Sequence, residues 1–196
     1  MLKKLWRLWK WRREVKTALG RITAMYEGIE GADALGGLTD EEIAGLVRWL
    51  PTQGTVVEVG TLFGLTAIEL ARRSVDGVRI ITVDNFSWNP FGLPPSAHEN
   101  FTRRILRPWI ENGKVELLVM GSEEFRATMK QIPEMVFFDA DHRYEVVRDE
   151  IAWAKSAGIK TICGHDYGNQ KFGVTQAVDE AFPNGVETAG MCWRGL

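Results

Sequence analysis

At 196 residues, the chain has room for one domain with a substantial hydrophobic core. With 45% hydrophobic residues, 26% charged residues and a formal net charge of −2, its overall composition gives no reason to expect a nucleic-acid partner. The two cysteines fall in no metal or disulfide pattern, and no apolar run approaches the roughly 18 residues of a membrane span, so we expect a cytoplasmic protein.

Residues 1–50 are predicted to form an N-terminal helical extension. Its first segment, residues 2–13, places Leu and Trp side chains on one helical face and Lys and Arg side chains on the other. Such a helix either lies peripherally on a membrane or packs on its own domain or a second subunit. We favour packing, because short amphipathic helices are more often packed than membrane-bound. For residues 1–16, membrane contact and homo-oligomer formation therefore both stay open.

A second helix is predicted at the end of this extension. Thr39 and Glu42 have the spacing of a capping box, and Pro51 stops the helix. The apolar stripe of this helix comprises Ile43, Leu46, Val47 and Leu50.

From residue 51 to residue 196, apolar strand-like runs alternate with helical segments. Fully apolar strands bounded by helices indicate a parallel sheet covered on both faces, whereas two final strands joined by a turn at Gly190 must be antiparallel. We therefore predict one α/β domain over 51–196, with a Rossmann-like, doubly wound sheet that is mostly parallel, has an antiparallel C-terminal strand and carries helices on both faces. The predicted strands are 55–59, 79–83, 115–119, 135–138, 161–163 and short pieces near Val186 and Cys192; the predicted helices are 64–73, one capped by Ser96 with Glu99, 123–129, 144–156 and 174–182.

The first strand runs into a glycine-containing loop with the pattern E-x-G-x-x-x-G, from Glu58 through Gly60 to Gly64. Gly60 permits a tight turn and close approach by a ligand, and Asp84 at the end of the second strand could accept two hydrogen bonds from a ribose diol. Leu62 stands where a dinucleotide fingerprint has its second glycine, whose purpose is contact with a pyrophosphate. The loop therefore disfavours a nicotinamide oxidoreductase and suits a nucleoside without phosphates.

Two of the three histidines follow neighbouring strands, each beside an aspartate. The fourth strand ends in D-A-D-H-x-Y, beginning at Asp139 and containing His142, and the fifth ends in G-H-D-Y, containing His165 and Asp166. Because the carboxyl ends of parallel strands share one edge of the sheet, these side chains are expected to form one site.

The glycine loop followed by an acidic strand end resembles the S-adenosylmethionine site of class I methyltransferases. D-A-D-H-x-Y, G-H-D-Y and then G-V-x-x-A-V-D-E at residues 173–180 resemble a family of small-molecule O-methyltransferases that includes macrocin-type sugar methyltransferases and relatives of cephalosporin hydroxylase. The resemblance covers roughly residues 53–183. It implies a bound S-adenosylmethionine lined by Glu58, Gly60, Thr61, Gly64, Asp84, Asp139 and, beside the adenine, Ser122.

The resemblance also implies catalytic roles for Asp139, His142 and Asp166. Asp139 and Asp166 are then ligands of a divalent cation such as Mg²⁺, and His142 is the general base that takes the proton of the acceptor hydroxyl. His165 occupies the position where the metal-dependent members carry an acid, which makes it a third candidate metal residue. A His-Asp pair supplies less negative charge than two acids, so a weakly held Mg²⁺, a softer metal and no metal all stay open.

The predicted function is O-methylation of a hydroxyl group on a sugar or another small metabolite. The alternative is a non-catalytic binding or scaffold protein whose N-terminal helix engages a membrane or a partner. Trp88 and Phe91, in the loop 85–95, are interpreted either as a lid over a ligand or as a cover of the sheet end. His98 is expected at the surface and Asp141 as a helix cap, while Tyr144 and Tyr167 either contact substrate or pack with bonded hydroxyls.

Overall fold

The structure, a computed structural model, describes residues 37–88 and 93–196. The helix predicted over residues 2–13, the association role of residues 1–16 and the lid role of Phe91 lie outside the described residues. None of the described helices combines the length and the apolar character that crossing a membrane requires.

Six helices and seven strands make up the regular structure of the described residues. Most of the predicted elements begin and end within one or two residues of the observed ones, because long apolar runs and glycine or proline breaks mark their ends. In chain order the elements are α1 (Asp40–Trp49), β1 (Gly54–Val59), α2 (Leu65–Arg73), β2 (Val78–Asp84), α3 (Pro95–Glu111), β3 (Val115–Val119), α4 (Ser122–Thr128), β4 (Met135–Phe138), α5 (Tyr144–Ser156), β5 (Thr161–Gly164), α6 (Val174–Ala181), β6 (Val186–Ala189) and β7 (Cys192–Gly195).

The strands form one sheet in the order β3-β2-β1-β4-β5-β7-β6. Strands β1 to β5 pair in parallel, and β7 runs antiparallel to both β5 and β6. The predicted fold class is confirmed. The chain order reverses at β1, which pairs with β2 on one side and β4 on the other, so a crevice is expected beyond the carboxyl ends of β1 and β4.

The core lies on both faces of this sheet, because successive side chains of a strand point to opposite sides. Val56 of β1 packs in the cluster that contains residues of α1, α2 and α3, whereas Val57 and Val59 pack in the cluster that contains residues of α4, α5 and α6. Helices therefore cover both faces, and the carboxyl edge of the parallel strands is the place left for a ligand.

Helix α1 is part of the same packed unit as the sheet. The predicted capping box is present: Thr39 N donates to Glu42 Oε2 at 2.8 Å, and Glu42 N donates to Thr39 Oγ1 at 3.3 Å. Leu46 and Trp49 are buried in the core. The domain boundary predicted at residue 50 falls between α1 and β1. Helix α1 lies before this boundary but packs on the sheet, through contacts with β6 and β7.

Helix α3 differs from its prediction at the start. Ser96 does not cap it: Pro94 occupies the N-cap position, Pro95 is the first helical residue, and no side chain bonds the first turn. Proline suits that place because its fixed φ matches a helix and it has no N–H to leave unpaired. Glu99 instead pairs with Arg103, Nε to Oε1 at 2.8 Å.

Candidate active site

Gly60, directly after β1, joins the two halves of the predicted site. Its φ of +106° is a left-handed conformation that side-chain-bearing residues avoid. A Cβ atom here would lie 2.1 Å from the carbonyl oxygen of Asp139, so the two backbones are in contact. The loop after β1 and the loop after β4 therefore meet at one edge of the sheet, as the strand-end argument predicted.

Asp84, at the end of β2, holds the glycine loop in place. Its Oδ2 accepts the backbone N–H groups of Thr61 and Leu62, each at 2.9 Å, and its Oδ1 accepts the N–H of Phe86 at 2.6 Å. Of the two carboxylate oxygens of Asp84, Oδ2 already accepts two hydrogen bonds. Only Oδ1 can therefore accept a further bond from the predicted ribose.

The outer side of the loop is fixed by α3, through two residues that the sequence did not single out for a site. His98 Nε2 lies 2.9 Å from the carbonyl oxygen of Leu62, and Thr102 Oγ1 donates to the same oxygen at 2.7 Å. The expectation that His98 lies at the surface is wrong: its side chain is 1% exposed, and it packs against the rings of Phe63 and Phe86. The available signal was their spacing of four residues, which places His98 and Thr102 on one helical face.

Glu58 supports the loop from beneath. It is 1% exposed, accepts a hydrogen bond from the hydroxyl of Thr82, and the Thr82 hydroxyl in turn contacts that of Thr61. Burial, and to a smaller extent the charges of Asp139 and Asp84, raise the pKa of Glu58 to about 8. Glu58 is therefore mostly protonated at neutral pH, and it reaches the loop through hydroxyl groups rather than facing the crevice.

Glu58 is expected to make the ligand-free protein less stable as the pH rises. Between its ordinary pKa of 4.5 and about 8, the folded state keeps a proton that the unfolded state has lost. The free energy of unfolding then falls by up to about 1.4 kcal/mol per pH unit; the contribution of the neutral carboxyl is fully present below the lower pKa and is lost as the pH passes the upper one. We expect the free energy of unfolding of Glu58→Gln, measured in urea, to rise relative to that of the wild type as the pH increases from about 5 to about 9. Glu116→Gln, on a half-exposed β3 carboxyl, is the control, and a Glu58→Gln difference that does not change with pH would contradict the assignment.

The acid and histidine residues after β4 and β5 form one cluster. His142 Nε2 is 2.9 Å from Asp166 Oδ2 and 3.8 Å from Asp139 Oδ1. His165 Nδ1 is 3.5 Å and 3.7 Å from the same two oxygen atoms. Potential ligand atoms of Asp139, His142 and Asp166 all lie within 4.8 Å of one another, which is the spacing of a group that can hold a metal ion. We refer to these four residues as the acid–histidine cluster.

Charge within the acid–histidine cluster is balanced by protons on the imidazoles. The carboxylates of Asp139 and Asp166 raise the pKa of His142 to about 10. Burial alone would lower the pKa of His165, but Asp166, Asp139 and a further carboxylate outweigh it and raise that pKa to about 9. Burial would likewise raise the pKa of Asp166, yet the two imidazoles hold it well below its usual range. In the ligand-free protein both imidazoles are therefore cationic at neutral pH.

The further carboxylate belongs to Glu42 of α1, which the sequence analysis placed only in a capping box. Its Oε1 lies 3.1 Å from His165 Nε2 and accepts the backbone N–H of Met191 at 2.9 Å. The side chain is buried, with 4% of its surface exposed. No local pattern could have revealed this contact, because 123 residues separate Glu42 from His165.

Asp166 follows His165 and Asp141 precedes His142, but the two aspartates occupy different environments. Asp166 is buried at a φ of +62°, and its Oδ1 accepts the side-chain amide of Asn169 at 2.9 Å. Asp141 accepts the N–H of Arg143 at 2.9 Å and pairs with its guanidinium group. The expectation that Asp141 caps α5 is wrong, because the N-cap residue is Arg143 and no side chain bonds the first turn.

The two tyrosines of the tail motifs tie these loops to α6. Tyr144 donates its hydroxyl to Glu180 at 2.6 Å, and Tyr167 donates its hydroxyl to Asp179 at 2.7 Å. The acids of the G-V-x-x-A-V-D-E segment are thus partners of the tyrosines that follow Asp139 and Asp166. Of the two interpretations left open, the bonded hydroxyl is the one observed.

Ser122 lies at the start of α4, just beyond β3, and donates its hydroxyl to Glu150 Oε1. Glu150 is 1% exposed, its Oε2 has no hydrogen-bond partner, and burial raises its pKa to about 7. The Ser122 proton is thereby committed to Glu150, so the hydroxyl can offer only lone pairs to a ligand.

Aromatic side chains border the acid–histidine cluster. Phe172 stacks on His142 with ring centroids 4.4 Å apart and remains 40% exposed. Trp88, in contrast, is 65% exposed. A separate cavity of about 470 Å³ lies near the amino ends of β2 and β3, lined by Gly77, Val78 and Lys114 among others, and contains none of the predicted site residues.

No protein-family model and no curated protein matches the chain. Solved structures do match over most of its length. An O-methyltransferase from Bacillus cereus in complex with SAH is 17% identical, with 83% of this chain and 84% of that chain covered and a TM-score of 0.56. The O-methyltransferase TomG from Streptomyces achromogenes, in complex with SAM, is 16% identical over 87% and 83% with a TM-score of 0.56, and an SAH-bound methyltransferase from Podospora anserina is 13% identical over 84% and 81% with a TM-score of 0.60. The chain shares the Rossmann-like methyltransferase fold of these proteins.

Proposed function

We propose that the protein is an S-adenosylmethionine-dependent methyltransferase that methylates a hydroxyl oxygen of a sugar or another small metabolite. The observation that carries the proposal is the backbone contact between Gly60 and Asp139, which brings the glycine loop and the acid–histidine cluster to one edge of the sheet. A methyl donor and an acceptor must meet within bonding distance, and this edge offers a nucleoside-type loop beside a group able to handle a proton. The matched structures named as O-methyltransferases support the same assignment.

In this proposal the loop residues bind the donor, which supplies a methyl group on a positively charged sulfur. Gly60 and Gly64 adopt the positive φ values that shape the loop, and Thr61 lies between them with its N–H bonded to Asp84. Glu58 keeps the loop in shape from below, and Ser122 offers acceptor lone pairs on the far side of β2. Binding the donor in a fixed pose beside the acceptor is the main contribution we assign to these residues.

The acid–histidine cluster deals with the proton of the acceptor hydroxyl. Nε2 of His142 has no hydrogen-bond partner of good geometry, although it lies close to Asp166, and it is the atom we assign as general base. With its pKa near 10 this nitrogen carries a proton in the ligand-free protein. The negative charges of Asp139 and Asp166 hold this proton on His142. His142 can therefore accept the proton of another group only when a second positive charge compensates the two carboxylates.

The residues present fit a divalent cation as that second charge. Asp139, His165 and Asp166 would hold it, since His165 Nδ1 lies 3.7 Å from Asp139 Oδ1 and 3.5 Å from Asp166 Oδ2. A cation there supplies Lewis acidity that lowers the pKa of a bound hydroxyl. The chain's own contribution is to orient the acceptor oxygen, and to keep His142 against Phe172 beside it.

Isothermal titration with S-adenosylhomocysteine tests the donor half of the proposal. One molecule is expected to bind per chain, and NAD and NADP are expected to give no heat, because Leu62 replaces the glycine that a pyrophosphate needs. If a folded sample binds no S-adenosylhomocysteine, with or without a divalent cation, the proposal is wrong and a scaffold role is favoured. The acceptor half is tested by a panel of sugars, phenols and hydroxy acids, scored by S-adenosylhomocysteine release from S-adenosylmethionine.

A further inference from the structure

The contacts of the two ring nitrogens of His165 are of the kind found in metal-binding histidines. Its Nε2 faces Glu42 Oε1 at 3.1 Å, while its Nδ1 faces the oxygens of Asp166 and Asp139 at 3.5 Å and 3.7 Å. The two Nδ1 distances are those of ion pairs and exceed the length of a good hydrogen bond. One ring nitrogen is thus engaged, and the other points at two carboxylates.

Glu42 is a rigid acceptor for this ring. Its carboxylate takes the N–H and hydroxyl of Thr39 at 2.8 Å and 2.9 Å, and the N–H of Met191 at 2.9 Å. An ionised carboxylate can only accept, so His165 must donate from Nε2. The neutral form of His165 then carries its lone pair on Nδ1, directed at Asp139 and Asp166. A carboxylate behind a histidine in this way is the arrangement that fixes the tautomer of metal-ligating histidines.

The distances favour a small coordination shell. Bonds of about 2.1 Å to nitrogen and oxygen put neighbouring ligands of a tetrahedral metal about 3.4 Å apart. An octahedral Mg²⁺ with bonds of about 2.05 Å brings them to about 2.9 Å and selects oxygen ligands. The 3.5 Å and 3.7 Å separations from His165 Nδ1, and its nitrogen donor, agree with the first case. His142 contacts the same oxygens, but the described residues supply no carboxylate to its other ring nitrogen.

We propose that Asp139, Asp166 and Nδ1 of His165 bind a divalent transition metal of the zinc type in preference to Mg²⁺, and that Glu42 is the positioning residue that orients His165 for it. Three protein ligands leave a fourth position for an acceptor oxygen, next to His142. The catalytic meaning of this site rests on the proposed function, but the binding of metal does not. His165 occupies the position where the metal-dependent members of the resembled family carry an acid. Glu42 supplies the negative charge that this acid would provide.

Cobalt titration of the full-length, metal-stripped protein tests the site without any methyl transfer. Co²⁺ is expected to bind with one equivalent and to give the intense visible absorption bands of a low-coordinate ion. Zn²⁺ should remove these bands at stoichiometric concentration, and a roughly hundredfold excess of Mg²⁺ should leave them unchanged. Absence of the bands, or their loss at Mg²⁺ concentrations equal to Co²⁺, would overturn the proposal.

Variants assign the nitrogen ligand. His165→Gln is expected to lose the bands, and Glu42→Gln to weaken Co²⁺ binding roughly 10–100-fold, the usual effect of removing a partner behind a ligand. Gln is accepted in a capping box, so α1 should still form. His142→Gln and the neighbouring Asp141→Asn should bind Co²⁺ within a few-fold of the wild type. Retained bands in His165→Gln, or lost bands in His142→Gln, would overturn the assignment. Titration of the metal-free wild type with S-adenosylhomocysteine reports separately on the proposed function.

Discussion

Replacing Gly60 with alanine is expected to lower the free energy of unfolding by about 3 kcal/mol or more and to abolish S-adenosylhomocysteine binding. The new Cβ would lie 2.1 Å from the carbonyl oxygen and 2.5 Å from the carbonyl carbon of Asp139. These are backbone atoms of the next strand end, so they cannot rotate away as a side chain would. The φ of +106° adds strain of its own. Urea unfolding and isothermal titration measure the two effects.

Gly113 provides a matched control for the strain alone. It also has a positive φ, +77°, but a Cβ there would meet no atom within 4 Å. Gly113→Ala should therefore cost about 1 kcal/mol and leave ligand binding unchanged. If the two variants lose the same stability, the contact between Gly60 and Asp139 is not what holds the two loops together, and the carrying observation of the proposed function fails.

Replacing Asp166 with asparagine is expected to reduce methyl transfer 10²–10⁴-fold, roughly the range for loss of a proton-handling group. Asp166 Oδ2 lies 2.9 Å from His142 Nε2 and 3.5 Å from His165 Nδ1, closer to each of these nitrogens than Asp139 Oδ1 does. The change removes one carboxylate charge with little change of shape. Asparagine also tolerates the φ of +62° and can keep a contact with Asn169, so the fold should survive.

The rate is measured as S-adenosylhomocysteine released with the acceptor found in the panel, and affinity for S-adenosylhomocysteine should stay within a few-fold. Asp141→Asn is the control in the same region, because its carboxylate pairs with Arg143 instead of the acid–histidine cluster. Equal rates in Asp166→Asn and the wild type would show that the cluster takes no part in the reaction. A matching loss in Asp141→Asn would show that the loop, rather than the charge, is what matters.

The fold could be predicted because its signals are local. Apolar runs such as 115–119 and 135–138 are long enough to identify a strand, and their observed ends are the predicted ones. The start of α3 was missed because Ser96 with Glu99 mimics a capping box, whereas two adjacent prolines set the helix start two residues earlier. The burial of His98 depends on the glycine loop passing over α3, which no window of sequence contains.

The location of the candidate site was predictable because the carboxyl ends of parallel strands share one edge of the sheet. Asp139, His142, His165 and Asp166 all follow strands that proved to be neighbours. Their protonation could not be predicted, because it depends on distances of a few ångströms between side chains. The hydrogen bonds of Asp84 were also hidden, since they follow from the turn at Leu62, which has a φ of +47°.

The position of Glu42 joins three separate parts of the chain through one carboxyl group: the first turn of α1, the β6–β7 hairpin and the loop after β5. Gly190 at the hairpin turn has a φ of +57°, and a Cβ there would come within 2.6 Å of Glu42 Cγ. A substitution at the hairpin tip would therefore be transmitted to the imidazole of His165. Helix α1 and the hairpin are therefore matched to each other through this carboxyl group, so an exchange of either with a segment of another protein would have to bring both.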